Sequence, residues 1–131
     1  MKIEFSSAYK NVIVLLDQAK FIQVIDNLVS NAIKFTPDGG HIYLKVYKQQ
    51  TGWVVVSVQD TGIGIPEKYH AQLFEKFNGA RRAGLKGQPS GGLGMSIIKT
   101  IINWHDGMIT FSSEPGLGTT FFIHLKSYDA Q

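Results

Sequence analysis

The sequence of 131 residues contains no cysteine, which excludes disulfides and thiolate metal sites and leaves packing alone to hold a fold. No apolar run approaches the roughly 20 residues that cross a bilayer. The start, MKIEFSSAYK, lacks the apolar core of a signal peptide, so no membrane insertion by this segment is expected. Charge of one sign is not concentrated either. The net charge is +3, and Lys and Arg are scattered apart from Arg81, Arg82 and Lys86, which argues against a nucleic-acid stripe. No internal repeat or linker is visible. What is present, 44% hydrophobic and 18% charged residues, is the make-up of one globular domain over residues 1–131.

Two short β-rich runs, IEF at 3–5 and NVIVLL at 11–16, precede Asp17, which is suited to cap a long amphipathic helix from Gln18 to Phe35. The breaker cluster Thr36-Pro37-Asp38-Gly39-Gly40 stops that helix. Residues 41–49 and 53–60 read as strands of a hairpin turning at Thr51-Gly52, the second central because it is mostly apolar. A Gly-rich turn, DTGIGIP, leads to a short helix over Glu67 to Phe74, then to a breaker-rich loop at 78–92. Leu93 to Trp104 has helical periodicity, with Gly107 as its stop, and MITFSSEPGLGTTFFIHL forms a closing hairpin. The order β-β-α-β-β-α-loop-α-β-β predicts an α/β (α+β) fold, a two-layer sandwich with helices on one face rather than a Rossmann sheet.

On the first helix Lys20, Gln23, Asn27, Asn31 and Lys34 fall within about 80° of arc, opposite Ile22, Ile25, Val29, Ala32 and Ile33. Lys20 and Gln23 suit a solvated face. Asn27 and Asn31 do not, because each Asn costs roughly 0.7 kcal/mol of helix propensity relative to Ala. An Asn oxygen is a neutral, hard ligand for Mg²⁺, an ion that keeps waters and substrate phosphates as its other ligands, and a lysine one turn on suits phosphate.

Asp60 closes an apolar strand beside Thr-Gly-Ile-Gly-Ile-Pro, where glycines let a ligand approach the chain, and its carboxylate is a good acceptor for an exocyclic amine. A simple chain-reversing turn is the alternative reading. Ser90-Gly91-Gly92-Leu93-Gly94-Met95-Ser96 leads into a helix and aims backbone N–H groups and the positive end of the dipole at an anion, unless it is only a structural turn. It matches neither the Walker pattern nor the dinucleotide fingerprint.

Taken together, NLVSNAIKF, DTGIGIP, LFEKF, GGLGMS and GTTF occur in the order and spacing of the N, G1, F, G2 and G3 boxes of bacterial sensor histidine kinases. Over about residues 11 to 125 the chain resembles their catalytic and ATP-binding domain, a Bergerat-type member of a superfamily shared with type II topoisomerases, a heat-shock chaperone and mismatch-repair ATPases. The resemblance implies a left-handed mixed α/β sandwich holding ATP under a flexible lid. It implies Asn31 as direct Mg²⁺ ligand with Asn27 assisting, Lys34 at phosphate and Asp60 at the adenine amine. Gly62 and Gly64 would make room for the base, Ile65 would pack near it, and Thr119 would support the Asp60 side of the pocket. Amides of Gly92, Leu93, Gly94 and Met95 would line the phosphates. Phe74 and Phe77 match the F box and are expected to anchor the lid, with Phe77 bordering the nucleotide; Arg81, Arg82 and Lys86 lie in that lid. Ser90, in place of the family's usual first glycine, would be strained at positive φ. Met95 replaces a common Leu at nearly equal volume.

In ATP-hydrolysing relatives the position of Asn27 carries Glu, whereas an amide is no base at neutral pH. The resemblance therefore implies phosphoryl transfer to a histidine on a separate dimerisation domain, and through it to a response-regulator receiver domain. None of His41, His70, His105 and His124 has the context of a phosphoacceptor, and His105, just before Gly107, is read as structural. An isolated monomer, a homodimeric parent kinase and a cytoplasmic location beside a membrane-anchored sensor are implied. A non-catalytic ATP-sensing module and an anti-sigma-type serine kinase remain open alternatives.

Overall fold

The computed structural model describes residues 2–7, 16–75 and 94–127, with only the backbone of the first segment. Five strands, β1 (Lys2–Ser7), β2 (His41–Lys48), β3 (Trp53–Asp60), β4 (Met108–Glu114) and β5 (Gly118–Lys126), form one sheet in the order β1-β2-β3-β5-β4. β1 runs parallel to β2, and every other pair is antiparallel. The sheet is therefore mixed, and β3 is central as its apolar sequence predicts. The helices are α1 (Gln18–Phe35) and α2 (Met95–Trp104).

Strand alternation and register together build the core. Leu44, Val58, Phe121 and Phe111 form one cross-strand row, and Val46, Val56, Ile123 and Ile109 form the next. Both helices cover this face. Val24, Leu28 and Ala32, spaced by four along α1, and Ile98, Ile101 and Ile102 of α2 are buried in the same cluster as Val58, Phe121 and Ile123. The predicted placement of both helices on one face holds.

Local chemistry fixes the helix ends. Asp17 has an extended backbone and its Oδ1 accepts the N–H of Lys20 at 3.1 Å, a side-chain N-cap. At the other end Thr36 leaves the helix with φ −108°, and its hydroxyl donates to the Ala32 carbonyl at 2.6 Å. α2 ends in a Schellman motif: the N–H of Gly107 bonds the carbonyl of Ile102, and that of Asp106 bonds Asn103. The left-handed residue there is Asp106, at φ 55°, so Gly107 sits one position beyond the role the sequence predicts for it.

The short helix after the Gly-rich turn is 3₁₀ over Glu67–Gln72, its N–H groups reaching back three residues, as from Tyr69 to Pro66. α2 begins at Met95, two residues after the predicted start. Of the predicted strand at 11–16, all but Leu16 lies outside the described residues, as does the predicted loop at 78–92.

Candidate nucleotide site

One end of the sheet is polar. Continuing the apolar rows on the helix-covered face, Ile42, Asp60, Thr119 and Ser113 stand opposite one another across β2, β3, β5 and β4. A carboxylate and two hydroxyls thus line up where the core gives out, and Asp60 and Thr119 are only 8% and 6% exposed. Burial of that kind demands partners. Oδ1 of Asp60 accepts the N–H of Gly62 at 2.9 Å and the N–H of Thr119 at 3.2 Å, which fixes the carboxylate at the strand end.

The Gly-rich turn after Asp60 is clamped between α1 and the β4–β5 turn. The N–H of Ile63 bonds the Phe35 carbonyl at 3.0 Å, and Gly62 lies so close to that carbonyl that a Cβ would collide with it. Gly64 has φ +75° and abuts the Glu114 carbonyl, so neither the conformation nor the space admits a side chain. Ile65, buried at 7% exposure, donates its N–H to Ser113 Oγ at 2.8 Å, and its carbonyl accepts from Nε2 of His70 at 2.8 Å. These contacts hold the turn against the end of α1, whose last two turns carry Asn31 and Lys34.

The stripe on α1 divides by burial. Lys20 and Gln23 are exposed, as a solvated face requires, whereas Asn27, Asn31 and Lys34 are half-buried. Nδ2 of Asn27 donates to the Gln23 carbonyl at 2.8 Å, and Nδ2 of Asn31 points to Met95 Sδ at 4.0 Å. The latter contact brings the start of α2 beside the amide stripe. Gly94, at the N-cap, offers no side-chain cap to the first-turn N–H groups, which leaves them suited to an anion.

Among the described residues no group of three or more His, Cys, Asp or Glu is placed to hold a metal ion. The donor set nonetheless fits Mg²⁺, because two half-buried amides one turn apart, next to Lys34 and the uncapped start of α2, suit an ion that keeps waters and substrate oxygens as its other ligands.

The structure thus gathers Asn27, Asn31, Lys34 and Met95 on one side and Asp60, Gly62, Gly64, Ile65 and Thr119 on the other, linked through Phe35. Gly94 caps α2. Phe77, Arg81, Arg82, Lys86, Ser90, Gly92 and Leu93 lie outside the described residues. Phe74 is half-buried, edge-on to Phe111 at 5.8 Å, with Lys99 Nζ 5.6 Å from its ring centre, which is an anchor's packing. Sequence reasoning missed Ser113 and His70. The signal for Ser113 was its place two residues beyond Phe111 and four beyond Ile109, on the inward side of β4.

The family model for histidine kinase-, DNA gyrase B- and HSP90-like ATPases matches residues 16–129. The sensor histidine kinase TmoS of Ectopseudomonas mendocina is 38% identical over 110 residues, covering 84% of this chain and 11% of that protein. The chain thus spans about a tenth of that relative. The catalytic domain of histidine kinase ThkA, nucleotide-free, is 28% identical with a TM-score of 0.77 over 95% of this chain and 77% of its own. ThkA has also been solved with the response regulator protein TrrA, where the TM-score is 0.74 at 26% identity, over 98% of this chain and 35% of that one. Full-length ShkA in complex with AMPPNP is 27% identical with a TM-score of 0.78, over 96% of this chain and 25% of that one. Among the described residues no helix is long and apolar enough to cross a membrane.

Proposed function

This chain belongs to the family of histidine kinase-, DNA gyrase B- and HSP90-like ATPases, and on that premise we propose that it binds Mg-ATP and transfers the γ-phosphoryl group to a histidine of a separate dimerisation domain. The observation that carries the reading is the meeting of two chemistries. A carboxylate fixed by two backbone amides lies at one side of the Phe35 junction, and an amide stripe beside an uncapped helix start lies at the other.

In this reading Asp60 accepts the adenine amine, with Gly62, Gly64 and Ile65 shaping the base pocket and Phe77 at its edge. Lys34 and the amides of Gly92, Leu93, Gly94 and Met95 bind the phosphates. Asn31, assisted by Asn27, presents amide oxygens to Mg²⁺, and the ion, when bound, neutralises charge on the phosphates. Asn27 cannot deprotonate water, so the site holds the nucleotide without activating its hydrolysis.

The engagement of His105 and His70 supports an external acceptor. Nδ1 and Nε2 of His105 are both engaged, with the Ile101 carbonyl and the Asp17 N–H, and Nε2 of His70 donates to Ile65. In this reading the partners are the dimerisation domain of a homodimeric parent kinase and, through it, a receiver domain; the crystallised pairing of ThkA with the response regulator TrrA supports the receiver. The binding of AMPPNP by ShkA supports the nucleotide class. We place this domain, a single unit over residues 1–131, in the cytoplasm.

Incubation of the chain with the dimerisation domain of its parent protein and Mg-ATP tests the proposal. Acid-labile phosphohistidine on that domain is the expected product; binding of ATP with no phosphohistidine would leave a nucleotide-sensing module instead.

A further inference from the structure

We infer that Ser113 is a positioning residue that sets the hydrogen-bonding polarity of Thr119, making it an acceptor-only group that selects purines bearing a 6-amino group. The inference rests on the nucleotide reading of the site. Ser113 Oγ has three partners: it receives the Ile65 N–H at 2.8 Å, it lies 3.2 Å from the Gly118 carbonyl, and it lies 2.8 Å from Thr119 Oγ1. A hydroxyl has one hydrogen and two lone pairs. For all three contacts to be hydrogen bonds at once, the single Ser113 hydrogen goes to the Gly118 carbonyl, which can only accept. One Ser113 lone pair is taken by the Ile65 amide.

In that arrangement Thr119 donates its own hydrogen into the second Ser113 lone pair. Its hydroxyl can then only accept from any other group. Thr119 is the register partner of Asp60 on the same face, and its backbone N–H is fixed on the Asp60 carboxylate. Two neighbouring acceptors, one a carboxylate and one a hydroxyl with its hydrogen turned away, match the two hydrogens of an exocyclic amine. A 6-oxo purine meets acceptors with an acceptor.

Ser113→Ala removes the group that holds the Thr119 hydrogen. Thr119 is then able to donate toward a 6-oxo group while still able to accept from an amine. The ratio of ATP to inosine triphosphate affinity should therefore fall about tenfold, mainly because the inosine nucleotide binds more tightly. Ser113→Thr, which keeps the hydroxyl, should retain the wild-type ratio. In a Thr119→Val background, Ser113→Ala should leave the ratio unchanged.

Titration of both nucleotides with Mg²⁺ into the wild type, Ser113→Ala, Ser113→Thr, Thr119→Val and the Thr119→Val, Ser113→Ala double variant, with thermal melting to establish that each folds, gives the test. A Ser113→Ala protein that weakens toward both nucleotides equally would overturn the inference and make Ser113 structural only. If Ser113→Ala does not fold, loss of the ratio in Ser113→Thr overturns it in the same way. A wild-type chain that binds neither nucleotide would overturn the underlying nucleotide reading, an outcome distinct from either of these.

Discussion

Asp60 accepts the backbone N–H of Thr119, its direct partner across β3 and β5, through Oδ1 at 3.2 Å, while the same oxygen accepts Gly62 at 2.9 Å. One carboxylate oxygen therefore has a structural duty, and the proposed function gives the carboxylate charge a second one. The two separate by substitution. Asp60→Asn keeps a carbonyl oxygen for both amides but turns an NH₂ toward the site, so stability should stay within about 1 kcal/mol while ATP affinity falls at least about tenfold. Asp60→Ala leaves two N–H groups without this acceptor and should also destabilise by about 2 kcal/mol. Urea denaturation and nucleotide titration of the two variants check this.

Gly118 opens β5 at φ +118° with its Cα against the Asp60 carbonyl, where a Cβ would collide. Gly116, at φ +83° in the same turn, has nothing within 4 Å. Replacing each by Ala should therefore have unequal effects. Gly116→Ala should cost about 1 kcal/mol of left-handed strain, and Gly118→Ala about 2 kcal/mol or more, with loss of ATP binding because Asp60 is displaced. Chemical denaturation of both variants measures the difference.

His105 joins the two helices. Nε2 accepts the Asp17 N–H at 2.8 Å at the start of α1, and Nδ1 donates to the Ile101 carbonyl at 2.7 Å near the end of α2. The neutral ring with hydrogen on Nδ1 satisfies both. His105→Ala should cost about 1–2 kcal/mol of stability and leave ATP affinity unchanged, as measured by denaturation and titration in parallel. A large loss of ATP affinity without destabilisation would contradict the structural reading of His105.

On the sheet face away from the helices, His124 lies edge-on to Trp53 with Nε2 3.3 Å from the Thr110 hydroxyl. Burial lowers its pKa from the ordinary 6.5 by penalising the charged ring. The unfolded chain therefore binds the proton more readily than the folded one. The stability this residue contributes is present above pH 6.5 and declines as pH falls from there through the lowered folded value. Stability curves between pH 8 and about 5 should lose part of that slope in His124→Gln.

The helix layer was legible because its signals are local: Asp17 as a cap, the TPDGG stop, and the apolar spacing of Val24, Leu28 and Ala32. The hairpins and the Asp60 turn were legible for the same reason. The parallel pairing of β1 with β2 was not, since period-2 alternation does not name a strand's neighbour. Alternation along β4 marks Ser113 as inward in the sequence, but its contact with Thr119 exists only once β4 and β5 are in register. At Gly107 the motif was right and the left-handed position was off by one, because Asp also tolerates that conformation. For Asn27 and Asn31 the residue type itself was the clue, and half-burial sets them apart from exposed Lys20 and Gln23.

The central claim is that the asparagine stripe of α1 holds magnesium for a bound ATP. Calorimetric titration of ATP into the wild type and Asn31→Ala, with Mg²⁺ and again with the ion chelated, tests it most directly. We expect one saturable site whose affinity falls about tenfold in the variant when Mg²⁺ is present, with the two proteins alike when it is not. Equal affinity with Mg²⁺ present, or no ATP binding by the wild type, would contradict the account.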